Sequence, residues 1–341
     1  MRFIVFSLIF IALSYIAATV ILWLKKKSVL RRTESLSVDV TNVCKGIAIC
    51  GIMLSHIGNL FGVRFLTPLG SWGVGIFLIL SGYGLEQSAQ KKGLQDFWKK
   101  RMLTAWLPYA IAEIIGIIFL ITPDYAEATA VDVLLDLLLI QPLHPFGWYM
   151  QCLFLCYIGF YLAHRLFKDN KVKKYIILSA LMLVLFVFFR SLYKQQMFTF
   201  VCGILLSDSK QIKGKIMDKP LVGALLFGAG VICLIVRQVP IVRTLTWGYE
   251  LIFAVQALML ALGTVSIINW VCRKIKRLFV EIPLLLGLIS YELYLYHGWV
   301  YSWISTKPIL YEMIALFFVK SVIVAVVAYA VRTRLMQRIK K

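Results

Sequence analysis

The stretch KGIAICGIMLSHIGN, residues 45–59, is an apolar run with a lysine at its start and a histidine near its end. His56 follows Lys45 by eleven residues. In a helix that spacing is roughly three turns plus 20°, so both side chains lie on one stripe, roughly 16 Å apart along the axis. Ile49, Ile52 and Asn59 continue the stripe. Ionisable groups inside such a run are costly, and each is a functional candidate that should face a bundle interior or a wet cavity.

The rest of the chain belongs to the same class. Hydrophobic residues make up 61% of its 341 residues, and apolar runs of about 20 residues, the length a bilayer requires, recur from end to end. The composition predicts an all-α, polytopic transmembrane helical bundle of about eleven helices. The spans read from the sequence are 3–24, 43–62, 70–88, 102–122, 146–167, 175–190, 197–208, 220–238, 248–270, 279–302 and 309–331. The span at 197–208 is short enough to be tilted or re-entrant, and 131–143 reads as an amphipathic helix that does not cross.

Charge sets the expected orientation. Basic clusters follow alternate connections, from KKKSVLRR to the tail RTRLMQRIKK, and place 28 of the 37 lysines and arginines on one side. Seven lie on the other side and two, Lys45 and Lys320, lie within spans. By the positive-inside rule the N-terminus is outside and the C-terminus cytoplasmic, as expected of a multi-pass protein of a bacterial cytoplasmic membrane. The formal charge of +21 is therefore a topology signal. Nucleic-acid binding is excluded, because the charge is scattered over short loops and not gathered on one soluble face.

The first span is too long for a signal-peptide core and lacks a convincing small-residue cleavage site, so it reads as a helix. The seven cysteines sit in or beside spans, and Cys152 and Cys156 share a helix face as packing residues, with no metal or disulfide pattern. No linker divides the chain. Function has to reside in the membrane domain, with membrane lipids as its surroundings.

The interior ionisable candidates are Lys45, His56, Glu113, His164, Glu292, His297 and Lys320. Some of these have structural readings, such as a pairing of Lys320 with Glu292 or Glu113. His56 suits proton abstraction, because an apolar surround favours the neutral imidazole. Ser55 and Asn59 give it polar company, and Gly46, Gly51 and Gly58 allow a helix or ligand to approach closely. A cation near the cytosolic end and a base deeper in suit an anionic cytosolic donor and a remote acceptor. In the late helix, Ser290, Tyr294, His297 and Tyr301 follow i, i+4, i+7, i+11 and share one face, while Glu292 and Tyr296 share another. Trp148 and Tyr149 have an aromatic belt as their ordinary reading and sugar stacking as the other.

The sequence resembles the acyltransferase-3 family of membrane O-acyltransferases from about residue 38 to the end. KGIAICGIMLSH places Lys45 and His56 at the spacing of that family's Arg and catalytic His. GSWGVGIFLILSGYGL matches its glycine-rich helix ending in Ser-Gly, at Ser81. FWKKRMLTAWLPY matches its aromatic, basic and arginine stretch leading to a proline. WYM at 148–150 and ISYELYLYHGW resemble its Trp-aromatic-aliphatic helix start and its late Ser-x-x-x-Tyr-x-x-His segment. There are two departures: Lys45 replaces an arginine and loses the bidentate fork, and Thr104 stands where a second arginine is frequent.

The resemblance implies an acyl-CoA-dependent O-acetyltransferase. It would move an acyl group, acetyl in the first instance, from cytosolic acetyl-CoA to a hydroxyl of a cell-envelope glycan, such as a polysaccharide, or of a lipid-linked sugar. It makes His56 the catalytic base and Lys45, Arg101 and Lys100 the donor-binding cations. Ser81, Glu113, Trp148, Tyr149, Ser290, Glu292, Tyr294 and His297 become candidate cavity residues, with acetyl-CoA as co-substrate and no metal. The family fold has about ten helices, so residues 1–37 read as an additional N-terminal helix with a basic linker, and 38–341 as the membrane domain. Any extracytoplasmic transferase that completes the reaction must be a separate protein or unnecessary. Oligomeric state and acceptor are not legible. The alternative function is a transporter or flippase of lipid-linked sugars, using the same interior Lys, Glu and His for binding or proton relay.

Overall fold

The structure, a computed structural model, describes residues 34–119, 121–167, 170–188, 194–274, 280–307 and 312–339. The expected first span at 3–24 lies outside them. Among the described residues all regular structure is helical. Helix α1 (Val38–Leu60) starts where the Ser37 side chain accepts a hydrogen bond from the Val40 N–H, with Asp39 favourably placed in the first turn. It begins before the expected boundary at 43, which puts Lys45 about two turns inside the helix. Helix α2 (Pro68–Lys92) has Pro68 in its first turn and stops at Gly93, whose φ of 63° suits a residue without a side chain.

Helix α3 (Phe97–Ile118) widens into a π turn over Met102–Trp106. Pro108 has no N–H for the Thr104 carbonyl, and its ring crowds that carbonyl, so the turn before it opens. The segment expected at 131–143 to be amphipathic and non-crossing holds α5 (Ala130–Leu137), preceded by the short α4 (Pro123–Ala126). Thr129 and Asp132 form a reciprocal capping box at the start of α5. Then follow α6 (Trp148–Leu166), α7 (Lys171–Phe188), α8 (Thr199–Asp208), α9 (Lys210–Met217), α10 (Pro220–Val236) and α11 (Pro240–Thr244). The last four are α12 (Thr246–Lys274), α13 (Glu281–Leu288), α14 (Ser290–Ser305) and α15 (Glu312–Ile339).

Six described helices are long and apolar enough to cross a membrane: α1, α2, α3, α6, α12 and α15. The pair α9 and α10 meets at 79° and makes a seventh if taken as one span. The other expected spans differ for local reasons. Helix α8 has only 10 residues. The apolar run at 279–302 is broken at Ile289 into α13, of 8 residues, and α14, of 16.

Backbone contact through paired glycines holds the centre together. A Cβ added at Gly46 of α1 would lie 1.8 Å from the Pro283 carbonyl oxygen of α13, and one at Gly287 of α13 would lie 1.8 Å from that of Asn42. The same reciprocal arrangement joins α2 and α8, where Gly82 abuts the Phe200 carbonyl and Gly203 abuts that of Ile79. In lipid, apolar burial gives helices little reason to associate, so close packing of this kind carries much of the stability.

Ion pairs supply a second tie. Glu86 of α2 meets His164 of α6 at 2.7 Å and Lys174 of α7 at 3.2 Å, and Lys174 reaches Asp208 of α8 at 3.3 Å. The cluster is buried and internally paired, which makes His164 a structural histidine. Glu86 itself escapes a sequence reading because it lies near the charged end of its helix. The suggested pairing of Lys320 with a glutamate is not found. Its Nζ sits 3.4 Å from the centroid of the Trp303 ring, while Glu292 pairs with Arg332 at 2.6 Å and Glu113 accepts from the Tyr125 hydroxyl at 2.8 Å.

Gly287→Ala should therefore lower the thermal unfolding midpoint in detergent, with a cost of about 1–3 kcal/mol or more from overpacking against a backbone that cannot yield. Gly228→Ala, whose new methyl meets nothing within 4 Å, should be neutral or slightly stabilising because alanine favours helix. Equal midpoints for the two variants would refute the backbone contact.

Candidate active site

Helices α1, α2, α3, α6 and α14 line a half-open cavity of about 360 Å³. Its wall brings together Lys45, Ser81, Arg101, Tyr149, Ser290 and Tyr294, six residues nominated from separate parts of the chain. The π turn of α3 places Arg101 and Thr104 on this wall. Thr104 donates its hydroxyl to the Lys100 carbonyl at 2.6 Å, so the position of the family's frequent second arginine faces the cavity with a short side chain. Lys45 and Arg101 pair with no described carboxylate. Arg101 instead lies 5.6 Å from the Phe97 and Tyr157 ring centroids, with its Nε unbonded. Two cations on one cavity wall, with no counter-ion among the described residues, make a site for an anionic ligand.

The sequence missed two tyrosines here. Tyr157 sits beside Ser81 and Arg101, and the Tyr291 hydroxyl donates to the Ala105 carbonyl within the π turn. Tyr157 follows Tyr149 by eight residues, a helical repeat that signals a shared face, but on an aromatic-rich helix such a repeat ordinarily marks core.

The stripe of α14 links this cavity to His56. Ser290 and Tyr294 line the cavity, whereas His297 and Tyr301, farther along, face His56 with ring centroids at 5.3 and 6.2 Å. Tyr149 and Tyr294 meet edge to face at 4.9 Å, and Tyr294 lies 5.8 Å from His297. An aromatic partition thus separates the cation-lined cavity from the histidines. His56 is half-buried and makes no hydrogen bond to a described residue, so its ring nitrogens are open to a ligand.

The connection before α6 closes the His56 end. Phe146 lies tilted against His56, ring centroids 4.1 Å apart, and stacks on His297 at 5.1 Å, and its carbonyl accepts from the Tyr294 hydroxyl. His144, absent from the sequence candidates, lies 5.0 Å from Phe146 and is buried. Burial lowers its basicity to about 4, so the ring is neutral at pH 7. The buried Asp136 anchors the residue before His144, accepting from the Leu143 N–H at 3.0 Å and from the Tyr109 hydroxyl at 2.5 Å, and burial pushes its carboxyl above the usual range. Hydropathy places His144 outside every span. The tertiary fold alone returns it to the centre.

The remaining nominated residues lie elsewhere. Lys100 donates to the Gln95 carbonyl and does not line the cavity. Trp148 flanks Tyr149, their rings perpendicular at 6.4 Å. Glu113 belongs to a chain in which Trp299 donates to the Tyr125 hydroxyl, which in turn donates to Glu113. Glu292 and Arg332 line a separate apolar groove between α3, α14 and α15. Among the described residues no group of three or more His, Cys, Asp or Glu side chains is arranged to hold a metal.

Comparison with known proteins returns one family. No curated protein and no solved structure matches the chain. The family described as an acyltransferase domain matches residues 40–333, from the first turn of α1 into α15, and so spans both the cation-lined cavity and the histidines. The chain belongs to the acyltransferase-3 family.

Proposed function

We propose that the protein transfers an acyl group, acetyl in the first instance, from cytosolic acyl-CoA to a hydroxyl of a cell-envelope glycan or lipid-linked sugar. The observation that carries this reading is the paired arrangement along α1 and α14. Both helices present residues to the cation-lined cavity at one end, Lys45 and Ser290, and histidines at the other, His56 and His297. With the N-terminus outside and the C-terminus cytoplasmic, the Lys45 end opens toward the cytosol. Lys45 and Arg101 then hold the phosphates of CoA, and the thioester extends past Tyr149 and Tyr294 toward His56.

In the reaction, His56 takes the proton of the acceptor hydroxyl as its oxygen bonds to the acyl carbon. The carbon–sulfur bond breaks, and the CoA thiolate leaves and regains a proton from the imidazolium. The half-buried setting of His56 and its lack of a hydrogen bond to any described residue support this role. Lys45 supplies charge without a bidentate fork, so Arg101 is the more directional phosphate contact. The carrier reading uses the same interior groups for transport. It leaves unexplained why Lys45 and Arg101 share one cavity lined by Tyr149 and Tyr294.

Purified protein in lipid vesicles distinguishes the two. Acetyl-CoA consumption with label appearing in an ester of added membrane-lipid extract is expected; movement of lipid-linked sugar with intact thioester would establish the carrier. Arg101→Ala should raise the Kd for acetyl-CoA about tenfold or more at low salt, as loss of a charged hydrogen bond implies. The difference should shrink toward 1 M salt, where the screening length falls to about 3 Å. A Kd unchanged at low salt removes Arg101 from the donor site. Lys45→Arg should keep acetyl turnover and Lys45→Met should abolish it, as measured by thiol release; full turnover in Lys45→Met would reduce Lys45 to a snorkelling anchor.

A further inference from the structure

His144 and His297 have complementary, fixed hydrogen-bonding ends. The Nδ1 of His297 lies 2.9 Å from the Leu293 carbonyl oxygen and 2.8 Å from that of Tyr294. Carbonyls only accept, so this nitrogen carries the proton and Nε2 presents a bare lone pair. That Nε2 has no partner among the described residues, and His297 is fully buried. His144 has the opposite tautomer. The Phe146 N–H donates to its Nδ1 at 3.3 Å, which leaves the proton of the neutral ring on Nε2. The His144 Nε2 interacts with the Gly298 backbone but has no hydrogen bond of full geometry among the described residues. Gly298 follows His297 directly, and an added Cβ there would meet the His144 Cε1 at 2.4 Å. The absence of a side chain at 298 is what lets His144 approach.

A buried donor and a buried acceptor left open beside a third, unbonded imidazole cost stability unless a ligand completes them. A hydroxyl is the small group that both donates and accepts. We infer that His144 and His297 together seat a second hydroxyl of the acceptor, adjacent to the one that His56 deprotonates, so that the enzyme selects vicinal diols, as in sugars, over simple alcohols. The second hydroxyl accepts from His144 Nε2–H, donates to His297 Nε2, and keeps its proton throughout. The reacting hydroxyl alone loses its proton, to His56, and forms the ester. His144 is thus a specificity-determining residue supplied by the connection before α6, and its role rests on the assignment of His56 as base.

The test uses the full chain in nanodiscs with ring-15N-labelled histidine; four histidines keep the spectrum assignable by single substitution. His297 should report Nδ1–H and His144 Nε2–H. cis-1,2-Cyclohexanediol should shift both, whereas cyclohexanol should shift His56 without them. With acetyl-CoA as donor, kcat/KM should favour the diol by about tenfold or more, the scale of one or two added hydrogen bonds. His144→Leu should bring that ratio to about one, and His144→Gln, which retains a donor N–H and an acceptor for the Phe146 N–H, should preserve most of it. Reversed tautomers, equal responses to the two alcohols, or an undiminished ratio in His144→Leu would overturn the inference. Failure to consume acetyl-CoA at all would overturn the proposed reaction instead, while tautomers and shifts still decide the binding role of His144.

Discussion

A charge inside a membrane protein has little water to solvate it, so where it finds its partner determines what it is for. In this bundle most interior charges are accounted for locally. Glu86, His164, Lys174 and Asp208 neutralise one another across four helices. Arg237 donates to Gln256 at 2.6 Å and to Tyr249 at 2.7 Å, and Glu292 holds Arg332. Lys45 and Arg101 are different: they face a void of about 360 Å³ and no described carboxylate. Two uncompensated cations in one cavity are an arrangement that an anionic ligand completes.

The rest of the architecture serves to hold that cavity and the histidines on one axis. The Gly46 and Gly287 contact presses α13 onto α1 and fixes where the chain re-enters as α14, with Ser290 at the cavity and His297 beside His56. The π turn of α3, opened by Pro108, turns Arg101 inward. Helices α4 and α5 and the Phe146 turn cover the opposite end. Each of these features is local in sequence, yet together they give an interior with a cationic chamber, an aromatic partition and a histidine cluster in series.

Much of this was legible in the sequence. The spacing of Lys45 and His56, and that of Ser290, Tyr294, His297 and Tyr301, predicts two polar stripes, and both are found facing the same interior. Apolar length alone overstates what each run does: the run at 279–302 breaks at Ile289, and 197–208 makes only a short helix, because helix breaks depend on packing. Partners across the bundle were not legible either. Lys320 lies on Trp303 and not on a glutamate, and Glu86 is paired by residues 78 and 88 positions away. His144 was hidden for a related reason, since a loop residue in hydropathy terms is folded under the histidines by Asp136 and Gly298.

The proposed reaction stands or falls on His56. Acetyl transfer by the His56→Ala protein, measured in single turnover with acetyl-CoA binding followed in parallel, addresses it most directly. General-base catalysis is worth about 10²–10⁴-fold, so transfer should slow by about that factor while the donor binds with unchanged affinity and the unfolding midpoint stays near that of the parent. A folded His56→Ala protein that binds acetyl-CoA and transfers acetyl at a near-parental rate would contradict the mechanism and leave His56 as a packing residue.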